Sequence, residues 1–204
     1  MKLYTTLSSP YGRMARIVML EKGLGDRVEV IVPKTRVENS PYYKINPSGR
    51  VPFLLLDDGT GLEDSPLICH YFDHVDGDPQ FAPAPGLDGL EPLRLEAMAR
   101  SMLDGISLWS REYTYRPEEI HSQFIIGHEQ ARAYRLADAF EAEMDNPVMA
   151  GPLSMAQITL ACALHGRDGR PAGYDWRTGH PKLSAWVDRI GERPSVSSTL
   201  PPPR

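Results

Sequence analysis

The chain opens with two short segments in which apolar and polar residues alternate, KLYTTL at 2–7 and RVEVIVP at 27–33. A period of two is the mark of a half-buried strand. Between them, YGRMARIVMLEKG at 11–23 offers Met14, Ile17, Val18 and Leu20 as an apolar helix face, and Gly23 stands where a helix stop belongs. Strand, helix and strand in so short a span predict a βαβ unit with parallel strands and a right-handed crossover. VPFLLLDDG at 51–59 reads as a third strand closed by an Asp-Asp-Gly turn, followed by a short fourth strand at Gly61–Leu62 and a helix over SPLICHYFDHV at 65–75. Residues 76–89 are dense in proline and glycine and read as a linker. Beyond them the strand signal stops.

Long helical patterns take over in EPLRLEAMARSMLDGISLWSREY and RPEEIHSQFIIGHEQARAYRLADAFEAEM. The second is expected to start with Pro117 at its first helical position, followed by two glutamates that suit the positive end of the helix dipole. SMAQITLACALHG at 154–166 is apolar nearly all round, as a central helix is. Ser154 and Gln157 have the spacing of a capping box in front of it. PKLSAWVDRIGERP at 181–194 predicts one more helix, and the tail SVSSTLPPPR reads as flexible, because consecutive prolines cannot continue a helix. The expected organisation is a small α/β domain over 1–77, a linker over 78–89 and an all-helical domain over 90–204.

Composition narrows the function. The 204 residues are 41 % hydrophobic, enough for a sizeable core, and the net charge of −5 comes with no basic stripe of the kind that tracks nucleic acid. No secretory leader pattern is read at the N-terminus, and no apolar run reaches the ~18 residues of a membrane span. The two cysteines, Cys69 and Cys162, sit far apart in apolar helical patterns and read as inert core thiols rather than a disulfide. A cytoplasmic protein is expected. His70 and His74 share a helical face near Asp73, but a third ligand at a useful spacing is missing, so no metal is expected.

Three clusters carry candidate chemistry. In SSP at 8–10, Pro10 fits the first position of a helix and Ser9 its N-cap, which would spend the Ser9 oxygen on backbone amides and leave Ser8 freer to meet a ligand. In SGRVP at 48–52, Pro52 opens a strand, where its missing N–H is tolerated. In EDSP at 63–66, Ser65 reads as an N-cap with Pro66 behind it, and a helix N-terminus is a ready anion site.

Taken together, LSSPYGRMARI, INPSGRVPFLLLDDGTGLEDSPLICHYFD, GPLSMAQITLACAL and YDWRTGHPKLSAWVDRIGERPS resemble the glutathione transferase superfamily over essentially the whole chain. The closest resemblance is to bacterial members that carry serine at the first turn. The most specific motif is Asn-Pro-x-Gly-x-Val-Pro followed by an acid-Ser pair. The resemblance implies a thioredoxin-like N-terminal domain, an all-α C-terminal domain, and glutathione as cosubstrate without a metal. It implies a cis Val51–Pro52 bond that turns the Val51 backbone towards the cysteinyl part of glutathione, pairing like an added strand. Ser65 would hold the γ-glutamyl carboxylate, Asp64 its ammonium, and Arg50 the glycine carboxylate, with Lys34 and Arg36 as alternatives. Ser8 or Ser9 would hydrogen-bond the sulfur and favour the thiolate. Serine-type members place that hydroxyl at the position of Ser8, cysteine-type members at that of Ser9. Tyr11, Trp109, Arg111 and Tyr113 would line the pocket of a small electrophile. The implied activity is conjugation of glutathione to a hydrophobic electrophile or reduction of a peroxide, with isomerisation or dehalogenation as a narrower option. The alternative is a non-catalytic ligand-binding or interaction module on the same fold. Many relatives are homodimers, and the same is expected here.

Overall fold

The computed structural model describes residues 1–166, 171 and 173–202. The chain divides into two compact units, Met1–Ala82 together with Pro194–Arg204, and Pro83–Arg193. The tail expected to belong to the helical domain therefore belongs to the first unit.

In the first unit, strands β1 (Lys2–Tyr4), β2 (Glu29–Ile31), β3 (Phe53–Leu55) and β4 (Gly61–Glu63) form one four-stranded sheet in the order β2-β1-β3-β4. β1 and β2 are parallel, as a βαβ unit requires, and β3 runs antiparallel to both β1 and β4. Register sorts the side chains by face: Leu3 pairs with Leu54 and Tyr4 with Phe53. Tyr4 and Phe53 join Tyr42 in an aromatic cluster, with ring centroids 5.6 Å (Tyr4–Tyr42) and 6.4 Å (Tyr4–Phe53) apart. Leu3 and Leu54, on the other face, are fully buried. So are Met14, Ile17 and Val18 of helix α1 (Pro10–Glu21) and Ile68 and Phe72 of helix α2 (Ser65–His74). Leu20, expected on the same face, lies 39 % exposed, near the C-terminal end of α1.

The proline-glycine stretch after α2 is not slack at its start. The buried Asp73 carboxylate accepts from the amides of Gln80 at 2.8 Å and of Phe81 at 3.1 Å. Lys22, its side chain wholly buried, pairs with Asp76 at 3.0 Å and donates to the carbonyl of Asp78.

The second unit holds α3 (Leu90–Tyr115), α4 (Gln123–Glu143), the short α5 (Pro147–Ala150), α6 (Met155–Leu164) and α7 (Pro181–Gly191). Every residue of α6 from Ala156 to Leu164 is buried, and the helix packs chiefly against α3. That is the central helix its apolar pattern predicts. Ser154 caps it, its Oγ accepting from the Gln157 amide at 3.4 Å. The reciprocal half of the capping box does not form. The Gln157 amide group instead donates to the carbonyls of Val148 at 2.7 Å and Pro152 at 2.8 Å.

Two other expectations are corrected. α4 starts at Gln123, with Ser122 as N-cap accepting from the Ile125 amide at 3.3 Å; Pro117 stands before a separate 3-10 turn over Glu118–Ile120. The buried Glu112 carboxylate accepts from the Ser122 amide at 2.9 Å and fixes the start of α4 there. The tail is also structured: Pro194–Ser197 form a short helix α8, Val196 and Thr199 are buried, and the Arg13 guanidinium of α1 donates to the Val196 carbonyl at 2.8 Å. Pro203 and Arg204 lie outside the described residues.

Candidate functional site

The first piece is the turn from β1 into α1. Ser9 is the N-cap: its Oγ accepts from the Gly12 amide at 3.1 Å, and its carbonyl from the Arg13 amide at 2.9 Å. Ser8 is exposed, and among the described residues its hydroxyl has no protein partner. Gly12 makes the turn possible. A Cβ there would lie 1.7 Å from Oγ1 of the fully buried Thr5, so only glycine lets the first turn of α1 sit on the end of β1.

The second piece is the loop from Asn46 to Pro52. Asn46, 1 % exposed, organises it: Oδ1 accepts from the Ser48 amide at 3.1 Å, and Nδ2 donates to the Arg50 carbonyl at 3.0 Å. The Tyr42 hydroxyl donates to the same carbonyl at 2.5 Å. Burial pushes the Tyr42 phenol above its ordinary range, the Asn46 hydrogen bond opposes the rise and the nearby Glu63 charge adds to it, so the phenol keeps the proton it donates. On the other side of Arg50, its amide donates to Ser48 Oγ at 3.1 Å, and that hydroxyl donates to Glu63 at 2.6 Å. Gly49, at φ 66°, turns the chain; a Cβ there would strike the Tyr43 ring at 2.7 Å. With both backbone groups of Arg50 held, the chain enters a cis Val51–Pro52 bond in a fixed direction. Val51 packs its side chain on the aromatic cluster, while its amide and carbonyl find no protein partner among the described residues. The Arg50 side chain is exposed.

The third piece is the junction of β4 and α2. The N-cap of α2 is Asp64, one residue earlier than the sequence suggests: its carbonyl accepts from the Ile68 amide at 3.1 Å, and its Oδ1 from the Ser65 amide at 2.8 Å. Ser65 is the first helical residue and Pro66 the second, where a missing N–H is equally harmless. Asp64 has φ 76° and ψ 135°, a conformation an L residue rarely takes. Ser65 is fully buried, and its Oγ has no hydrogen-bond partner. Both features are costly, and both sit at one helix start.

These pieces all belong to the first unit, and the Ser48–Glu63 bond ties the second to the strand that leads into the third. The sequence names Ser8, Ser9, Arg50, Val51, Pro52, Asp64 and Ser65 but not the supporting roles of Thr5, Gly12, Tyr42, Asn46, Ser48 and Glu63. Asn46, Ser48 and Glu63 stood inside the quoted motifs without a role assigned to them, whereas Thr5 and Tyr42 left no signal.

The remaining predicted residues scatter. Tyr11 is half-buried on α1. Arg111 and Tyr113 are exposed on α3, where the Tyr113 ring meets His121 edge-on at 5.1 Å. Trp109, expected to line a pocket, is 1 % exposed and packs in the core of the second unit, edge-on to Tyr174 at 5.4 Å. His70 and His74 do share a face, with ring centroids 4.0 Å apart. Among the described residues, no group of three or more metal-ligating side chains is placed to hold an ion, and no helix is long and apolar enough to cross a membrane.

Comparison with known proteins extends this picture to the whole chain. Residues 8–75 match the glutathione S-transferase N-terminal domain, and residues 116–189 match the glutathione S-transferase C-terminal domain. A glutathione transferase family member from Pseudomonas fluorescens Pf-5, solved with bound glutathione, is 31 % identical over 99 % of both chains, with a TM-score of 0.88. A second structure from the same source, with bound S-(propanoic acid)-glutathione, is 33 % identical over 100 % of both chains, with a TM-score of 0.86. The GST-like protein YibF of Escherichia coli K12 is 28 % identical over 99 % of both chains. With both domain models matched in order and a 31 % identical structure covered over 99 % of both chains, the chain belongs to the glutathione S-transferase family.

Proposed function

We propose that this protein binds glutathione on its first unit and activates the thiol for transfer to a small electrophile or for reduction of a peroxide. The observation that carries the reading is the fully buried, unpartnered Ser65 hydroxyl at the start of α2. A buried polar group without a partner calls for a reason, and a ligand that completes its hydrogen bonding supplies one. A carboxylate fits: the helix start offers amides and partial positive charge. The γ-glutamyl end of glutathione brings both that carboxylate and an ammonium for Asp64. Its cysteinyl backbone pairs with the open amide and carbonyl of Val51, and its glycine carboxylate meets Arg50.

The thiol then lies towards the turn at 8–10. A cysteine thiol has a pKa of about 8.5, and the thiolate is the nucleophile. A hydroxyl that donates a hydrogen bond to the sulfur stabilises the thiolate, and the N-terminus of α1 adds to it. The Ser9 Oγ is turned onto the α1 backbone as N-cap, while the exposed Ser8 hydroxyl has no protein partner among the described residues, and on that ground we assign the donor role to Ser8. No serine becomes covalently modified; the chain orients the thiol and lowers its pKa.

Support for a homodimer comes from α3, where Leu90, Leu93, Leu108 and Tyr115 stay exposed along one side of the helix. Sedimentation equilibrium that returns a monomer at micromolar concentration overturns that part.

The first test is calorimetric titration of the protein with glutathione beside Asp64→Ala. Binding that weakens strongly in the variant supports the site. No heat from the wild-type protein at millimolar glutathione overturns the reading.

A further inference from the structure

The Asp64 carboxylate already holds a group that the ligand needs. Its Oδ1 accepts from the Ser65 amide at 2.8 Å, at the start of a ten-residue helix. That amide, together with the unpartnered Ser65 hydroxyl, forms the donor pair assigned above to the γ-glutamyl carboxylate. One N–H is one donor, and it cannot serve two carboxylates at full strength. The Ser65 hydroxyl is also shut off from solvent in this state, so a ligand can reach it only after something at the helix start moves. Asp64 is the movable group there: its side chain is exposed, and its hydrogen bond is to the very next residue.

Resting on the glutathione reading, we propose that Asp64 is a self-cap that selects for a zwitterionic α-amino acid headgroup. Without ligand, Asp64 occupies the Ser65 amide. With ligand, the incoming carboxylate takes that amide and the hydroxyl, and the displaced Asp64 carboxylate turns to the ammonium of the same headgroup. The exchange balances only when both charges arrive together. A headgroup with a carboxylate alone evicts Asp64, gives it nothing to bind and sets two like charges side by side. A headgroup with an ammonium alone leaves the self-cap in place and the Ser65 hydroxyl unsatisfied. Asp64 thus acts through competition as well as through attraction.

The competition is separable from the charge. Asp64→Asn and Asp64→Gly both remove the negative charge; glycine takes φ 76° and ψ 135° freely, while asparagine keeps the side chain and the backbone strain that aspartate has there. Only asparagine keeps an oxygen that can accept from the Ser65 amide. The probe is des-amino glutathione, in which a glutaryl group replaces the γ-glutamyl group, titrated calorimetrically against the full-length wild type and both variants, with glutathione in parallel. The expected result is that des-amino glutathione binds Asp64→Gly about three- to tenfold more tightly than Asp64→Asn, the range one neutral hydrogen bond supplies. Equal affinities in the two variants overturn the self-cap while leaving the glutathione site standing. Failure of the wild type to bind glutathione removes the underlying reading, a different outcome. Amide exchange followed by NMR gives a second readout without ligand: the Ser65 amide should be protected in the wild type and in Asp64→Asn and released in Asp64→Gly. Equal protection in all three also overturns the proposal.

Discussion

At the scale of single residues, adjacent serines do different work. Ser9 is spent on the backbone of α1, while Ser8 has no protein partner among the described residues. Ser9→Ala should cost about 0.5–2 kcal/mol of stability, the value of an N-cap, and leave the pKa of the bound thiol near its wild-type value. Ser8→Ala should leave stability unchanged. It should raise the pKa of bound glutathione by about 1–2 units and slow thiol transfer about ten- to a hundredfold, as one hydrogen bond to a charged sulfur predicts. Thiolate absorbance followed against pH, beside urea unfolding, separates the two. The reverse pattern would assign the sulfur to Ser9. The sequence could pose this choice because Pro10 betrays the start of α1. It could not show Thr5 beneath Gly12, or Tyr42 and Asn46 clamping the Arg50 carbonyl, because those contacts join residues whose types have many uses elsewhere.

At the scale of elements, periodicity located the strands and most helices, and the misreadings fall at ends, where one hydrogen bond decides. Pro117 looked like a helix start, yet the Glu112 carboxylate holds the amide of Ser122 and moves the start there. Ser154 and Gln157 looked like a reciprocal box, yet Gln157 is 5 % exposed and turns its amide group onto loop carbonyls. Ser154→Ala should therefore cost about 0.5–2 kcal/mol. Gln157→Glu should cost more, above about 3 kcal/mol, since it replaces a buried donor with a charge facing carbonyl oxygens. Equal losses in thermal unfolding would restore the capping box. The first turn of α3 carries a pH-dependent contact. Hydrogen bonds from Arg94 and then Asn146 draw the Glu91 carboxyl down from 4.5 to about 2. A depressed carboxylate stabilises above its unfolded pKa, and that contribution is lost as pH falls from about 4.5 to about 2. Glu91 lies on the surface, so the effect is small and screened by salt. The stability gap between wild type and Glu91→Gln should close across that window; a gap that stays constant would show the contact contributes nothing.

At the scale of the whole molecule, the chain leaves the first unit at Ala82, builds the second, and returns at Pro194. Composition alone hid this return, because a tail of serines and prolines has no periodicity to read. The buried charge of Arg13 is what gives the tail a place. It donates to the Val196 carbonyl at 2.8 Å and to Thr199 Oγ1 at 3.3 Å, while the Ser195 hydroxyl bonds Glu21 at the other end of α1. α1 is also the helix whose N-terminus is assigned to the thiol, so the last turn of the chain braces the first helix. Removal of residues 194–204 should leave Arg13 without these acceptors and strip apolar cover such as Val196 from α1. Arg13→Met should lose the same hydrogen bonds without leaving a buried cation. The two changes should therefore not add: the truncation should cost less in the Arg13→Met background than in the wild type, with a coupling of about 1–3 kcal/mol for hydrogen bonds to a charged group. Urea unfolding of the four proteins measures it. Additive losses would mean that the tail contributes only apolar burial and that the Arg13 contacts are incidental to its docking.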